Sequence, residues 1–200
     1  MDNHTRSEIT RKKAIEAALA ILARDGIAGL TFDALAQESG ISKGGLLHQF
    51  HTKSGILEAL AEHHRHHFEE VAKKYLAKEG SLKAEQTLAA QIAIYRESAN
   101  QPHSVARAVL ATLIASPNSD LLERLRAIDE ETLKNIEAEA LDRDFSLIRL
   151  LAASGLAYST LLGMSSLTRK DRQRLFDRLL DDDAWKALAA KPTVKKRSGA

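Results

Sequence analysis

The chain of 200 residues contains no cysteine, which excludes disulfides, thiol redox chemistry and cysteine-ligated metal centres. It is also poor in helix breakers, with three prolines and ten glycines, and only 4% of its residues are aromatic. Set among abundant Ala, Leu, Glu, Lys and Arg, this scarcity favours helix throughout. No apolar run approaches the roughly 18 residues of a membrane span, and Met1 leads into polar residues rather than a secretory leader. A cytoplasmic protein with no membrane partner is therefore expected. An excess of one charge is missing too. The formal net charge is +2, and residues 1–55 carry seven basic side chains against six acidic ones. Composition alone thus points to no nucleic-acid partner. Two hundred residues can bury a sizeable core and fit one large domain or two small ones. No repeat of 20–50 residues is present.

What is present is a pattern. The segment Thr31–Lys53 reads TFDALAQESGISKGGLLHQFHTK. Phe32 and Leu35 recur at helical spacing, and Ala36 is small enough for a second helix to cross closely. Gly40 falls where the chain must turn with a positive φ, which glycine adopts cheaply. Ile41 plugs the corner, Ser42 is a natural N-cap, and Leu46 and Phe50 supply the inner face of a second short helix. Such a helix-turn-helix presents the first turns of its second helix to the DNA major groove.

These residues resemble the TetR/AcrR-type family of helix-turn-helix transcription regulators. There the recognition helix commonly reads S-K-G-x-L-x-x-x-F and is followed by a lysine that opens the next helix. The matching positions here are Ser42, Lys43, Gly44, Leu46, Phe50 and Lys53, and residues 5–60 carry nearly all of the similarity. The resemblance implies an all-α fold of about nine helices. An N-terminal three-helix DNA-binding domain (1–55) would precede a helical ligand-binding and dimerisation domain (56–190) and a basic disordered tail (191–200). It further implies a homodimeric repressor that a small-molecule effector releases from a palindromic operator, with no enzymatic activity, no cofactor and no metal.

Local signals place the other helices. Thr5-x-x-Glu8 is a capping box opening the first helix, which carries Ile15, Ala18, Leu19 and Leu22 on its apolar stripe and which Gly26 should end. Thr31, Ser42 and Thr52 cap the next three. The fourth runs from about Lys53 to Lys78 with Gly80 as its stop, long enough to carry a rigid displacement. Ser81 should open a fifth, Pro102 a sixth that must end before Pro117, and Asn118 or Ser119 a seventh with Leu121, Leu125 and Ile128 inward. Residues 146–163, SLIRLLAASGLAYSTLLG, are apolar all round, so that helix must be covered on both sides. The covers expected are the chain's own core and a second subunit, the alternative being a central buried helix in a monomer. Thr168-x-x-Asp171 opens a further helix with Leu175, Phe176 and Leu179. By the resemblance, 146–163 and 168–181 pair with their copies in a homodimer.

Two copies would set their recognition helices in successive major-groove faces of double-stranded DNA. Lys43 is placed for a base edge or phosphate, Gln49 for two hydrogen bonds to adenine and His48 for a phosphate or base. Gly44 and Gly45 weaken the helix by about 1 kcal/mol each relative to alanine, a cost that makes sense where backbone approaches the sugar-phosphate chain. Thr31, Ser42 and Lys53 stand at helix starts, where free amides favour phosphate. Against the common family pattern, Gly45 lacks a side chain for a thymine methyl and Leu47 lacks the phosphate-binding hydroxyl of a tyrosine. Candidate effector contacts are Tyr95, His103, Arg107, Phe145, Tyr158 and Met164. The run EHHRHHFEE (Glu62–Glu70) offers an alternative, a zinc-dependent helical hydrolase, since His63 and His67 lie one helical turn apart. It lacks the H-E-x-x-H order of metalloproteases. A ligand-independent DNA-binding protein is the remaining alternative.

Overall fold

The computed structural model describes residues 3–100, 106–107 and 120–190. The sixth helix expected from Pro102, apart from the helical residues Ala106 and Arg107, lies outside the described residues, as do the candidate His103, the tail 191–200 and the Thr5 side chain. Nine α-helices and one short 3-10 turn have both ends within the described residues, which contain no strand. They are α1 (Asn3–Gly29), α2 (Phe32–Ser39), α3 (Lys43–Phe50), α4 (Lys53–Lys78), the turn Gly80–Leu82, α5 (Gln86–Asn100), α6 (Asp120–Glu139), α7 (Arg143–Leu161), α8 (Arg169–Leu179) and α9 (Asp182–Ala189). No helix among the described residues is long and apolar enough to cross a membrane.

The chain divides into two compact units, Met1–Glu70 with Asn100–Ile128, and Val71–Ala99 with Asp129–Ala200. In the first, α1 buries Ala14, Ile15, Ala18, Ile21 and Leu22 against Leu35 of α2, Leu46 and Phe50 of α3, and Ile56, Leu57 and Leu60 of α4. Burial of apolar side chains at three- and four-residue spacing holds these short helices, which would be marginal alone. Gly26 breaks α1 rather than ending it. Its φ of 67° and ψ of −168° interrupt the helix, which then makes one more turn to Gly29.

In the second unit Leu88, Ile92 and Ala93 of α5, Ile136 of α6, Ala153 of α7 and Phe176 and Leu179 of α8 share one core. Ser81 does not open α5. It lies in the 3-10 turn, and α5 begins at Gln86. The intervening residues are held by distant partners instead: Lys83 Nζ donates to the Leu180 carbonyl at 2.7 Å and the Ala84 amide to Asp182 Oδ2 at 3.4 Å. The Thr87 amide and hydroxyl donate to the Glu139 carboxylate at 2.7 and 2.5 Å, so a side chain 52 residues away caps α5. Thr168 caps α8 as its spacing implies, accepting from the Asp171 amide at 3.1 Å. Helix α9 goes beyond the helices that local signals place, and Asp181 caps it by accepting from the Ala184 amide at 3.2 Å. Ile128, expected inward, is 46% exposed because α6 turns it toward a surface groove of the first unit.

Helix α7 contains the apolar stretch. It buries Ser146, Arg149, Ala153, Ala157 and Leu161. Its other side leaves Ile148, Leu151 and Tyr158, together with Leu162 at its C-cap, at 52, 67, 53 and 50% exposure. One face is thus used within the chain, and a row of large apolar side chains at spacings of three, seven and four residues remains outside.

Candidate nucleic-acid interface

Helices α2 and α3 meet through Leu35 and Leu46, both fully buried. Thr31 caps α2 by accepting from the Ala34 amide at 3.1 Å, and Ser42 caps α3 by accepting from the Gly45 amide at 3.2 Å. Between them Gly40 takes the left-handed conformation (φ 68°, ψ 14°), and its amide bonds the Ala36 carbonyl at 3.0 Å. The Ser39 hydroxyl donates to the Leu35 carbonyl at 2.6 Å and accepts from the Ile41 amide at 3.2 Å, which closes the corner.

With Leu46 and Phe50 turned into the core, α3 presents Lys43, Gly44, Leu47 and His48 to solvent, and Gln49 is half-buried. Several of these side chains have partners that spacing did not reveal. Lys43 Nζ sits between both carboxylate oxygens of Asp33, at 2.8 and 2.9 Å. Gln49 Oε1 accepts from the Ser7 hydroxyl at 3.2 Å, leaving its amide hydrogens to donate elsewhere. Lys53 Nζ donates to the Ile27 carbonyl at 2.9 Å, a cation on the last turn of α1. Arg11 lies 5.7 Å from the Phe50 ring centre and helps pack the back of α3. A Cβ on Gly44 would meet nothing, whereas one on Gly45 would come within 3.3 Å of Ile41 Cγ2 and Ser42 Oγ. Glycine at 45 therefore clears both the corner plug and the cap.

The passage from α3 to α4 is tight. His51 has φ 58° and ψ −47°, and the Thr52 amide reaches back to the Phe50 carbonyl at 2.6 Å, a γ-turn with positive φ. Thr52 then caps α4 by accepting from the Gly55 amide at 3.0 Å. The turn aims the Phe50 carbonyl at Gly55, where a Cβ would lie 2.1 Å from that oxygen. Gly55→Ala must displace backbone at the end of α3 and is expected to destabilise the chain by about 1–3 kcal/mol, read as a lowered urea midpoint. An unchanged midpoint would show that the α3–α4 connection yields freely.

Histidines on α4 are spread around the helix. His66 contacts Glu62 at 3.0 Å and Glu69 at 3.2 Å, and Arg65 bonds the same two carboxylates, which holds Glu62 below its ordinary pKa. His64 packs edge-on against Phe68, and burial pushes its pKa down to about 4, so it is neutral at pH 7. Among the described residues no three His, Asp or Glu side chains gather as a metal site. Among the candidate effector contacts, Tyr95 and Tyr158 meet edge-on at 6.0 Å and Phe145 lies 6.0 Å from Trp185. Burial raises the Tyr95 hydroxyl pKa. Met164 is 77% exposed and Arg107 is exposed. Among the described residues, none of these candidates lines the groove of about 750 Å³ in the first unit, whose walls include Arg11, Gln49, Phe50, Glu62, Arg124 and Ile128.

Residues 14–60 match the family model described as bacterial regulatory proteins, tetR family, and residues 85–182 match the model described as tetracyclin repressor-like, C-terminal domain. The HTH-type transcriptional regulators BetI of Paraburkholderia xenovorans (strain LB400) and Paraburkholderia phytofirmans (strain DSM 17436 / LMG 22146 / PsJN) are each 41% identical over 56 residues. That stretch spans 28% of this chain and 29% of the length of each of those regulators. A TetR-family structure from Streptomyces coelicolor A3 superposes with a TM-score of 0.60 at 17% identity, over 85% of this chain and 97% of that one. The multidrug binding protein EbrR complexed with ethidium superposes with a TM-score of 0.56 at 19% identity, over 85% and 97% of the two chains. At these identities the solved structures show the fold. Taken with the two family models, the capped α2–α3 pair and its glycine corner identify the chain as a member of the TetR family of transcription regulators.

Proposed function

We propose that this regulator is a homodimeric cytoplasmic repressor that binds a palindromic operator through α3 and leaves it when a small molecule binds the helical region beyond residue 55. The observation that carries the reading is the build of α3. Its back is locked by Leu46 and Phe50, its start is capped by Ser42, and Lys43, His48 and Gln49 stand toward or at the open side. Thr31, Ser42 and Lys53 at helix starts would engage phosphates, and Gly44 and Gly45 would let backbone approach the strand. Dimerisation through 146–163 and 168–181 is supported by the exposed row Ile148, Leu151 and Tyr158 on α7 with Leu162 at its C-cap, which a second copy would cover. An effector is in keeping with EbrR, a neighbour in fold whose complexes hold ethidium and imidazole. Operator DNA and effector then oppose each other by reciprocity, since each favours a different arrangement of the same protein.

Selection of bound duplexes from a random pool tests this directly. An inverted repeat bound by two chains is expected, and screening compounds for release of that duplex should find an effector. Enrichment of no sequence, or a single chain per duplex, would contradict the proposal.

A further inference from the structure

Asp33 is an acid in the first turn of α2, ten residues before Lys43 and on the same open side. Resting on the DNA-binding reading above, we propose that Asp33 competes with DNA phosphates for the Lys43 ammonium. Lys43 then contributes only where a duplex offers it a better partner than this carboxylate.

Three features carry the inference. Both Asp33 oxygens lie on Nζ, at 2.8 and 2.9 Å, so the carboxylate engages the ammonium much as a phosphate would. Asp33 also stands at the start of α2, where unpaired amides favour an anion, as they would a phosphate in the same place. Both side chains are exposed, at 53% for Lys43 and 77% for Asp33, so the pair is weak enough to exchange when DNA arrives. Asp33 thereby acts as a positioning residue. It holds Lys43 at the mouth of α3 and withholds one cation from arbitrary sequences, which outnumber any operator in a genome.

The test uses the full chain, a duplex selected from a random pool and a scrambled duplex of the same composition. Asp33→Asn keeps side-chain size at an exposed site, and circular dichroism checks that the fold is retained. The variant should bind the scrambled duplex about two- to fivefold more tightly. Its salt dependence there should steepen by about one released counterion, with a log–log slope change near −0.9. On the selected duplex, where Lys43 is already engaged, the slope should not change. Adding Lys43→Ala should erase the gain on scrambled DNA. A gain that survives Lys43→Ala would mean that Asp33 acts only by its own charge, and an unaltered slope on scrambled DNA would mean that Lys43 was never withheld. Either result overturns the proposal. If the wild-type chain binds neither duplex, the DNA-binding reading itself fails, and the two failures are distinguishable.

Discussion

Arg149→Ala is expected to destabilise the chain by about 3–5 kcal/mol, because it strips the cation from a buried ionic cluster. The guanidinium is 1% exposed. Its Nη1 donates to Glu85 at 2.5 Å, Nη2 to Asp182 at 3.0 Å and Nε to the Leu179 carbonyl at 2.9 Å. The Ser146 hydroxyl donates to the other Glu85 oxygen, and the Trp185 ring centre lies 5.7 Å from the guanidinium carbon. One side chain of α7 thus ties the residue before α5 to the end of α8 and the start of α9. Alanine in its place removes the only cation bonded to the Glu85 and Asp182 carboxylates among the described contacts, leaving Glu85 the Ser146 hydroxyl and Asp182 the Ala84 amide. Trp185 is the sole tryptophan, so its fluorescence reports this cluster during urea unfolding. With a slope of about 1–3 kcal/mol per molar, the midpoint should fall by at least about 1 M. The double variant Arg149→Met with Glu85→Leu removes the cation together with its most buried partner and should recover much of the loss, since apolar replacement of buried ion pairs is often tolerated. A wild-type midpoint in Arg149→Ala would show that the cluster is not a structural clasp.

Leu46→Ala should be nearly as damaging, at about 2–5 kcal/mol, and should abolish DNA binding. Leu46 is fully buried where α3 meets α1 and α2, in the core that includes Leu35, Ala18 and Phe50. Truncation leaves a cavity behind the recognition helix and removes what fixes its orientation. Leu47→Ala, one position on, is a built-in contrast. That side chain is 40% exposed, and its loss should change stability by no more than about 0.5 kcal/mol. Equal effects of the two variants on urea unfolding would mean that α3 is not held by its inner face.

Features readable from the sequence were those whose causes are close along the chain. Gly40 and Ser42 sit within the turn they shape, and the caps Thr31, Thr52 and Thr168 each bond an amide three residues on. The inner face of α3 follows from the four-residue step between Leu46 and Phe50. Contacts made across the fold left no such trace. Asp33 reaches Lys43 over ten residues and Ser7 reaches Gln49 over 42, so neither helical spacing nor capping rules could pair them. The start of α5 has no local signal for the same reason, since its cap is Glu139 rather than a neighbour. Arg149 did carry a visible signal, an arginine inside an otherwise apolar stretch. Its partners lie 64, 33 and 30 residues away, and only the folded chain brings them together.

Sequence recognition through α3 is tested most directly by Gln49→Ala, compared with Lys53→Ala, on the selected duplex and on the full set of its single-position variants. Gln49→Ala should relax preference at one position of each half-site and leave discrimination elsewhere intact. Lys53→Ala should weaken binding across all sequences and flatten its salt dependence. Equal losses on every duplex for both variants, or no loss for either, would contradict recognition through this helix.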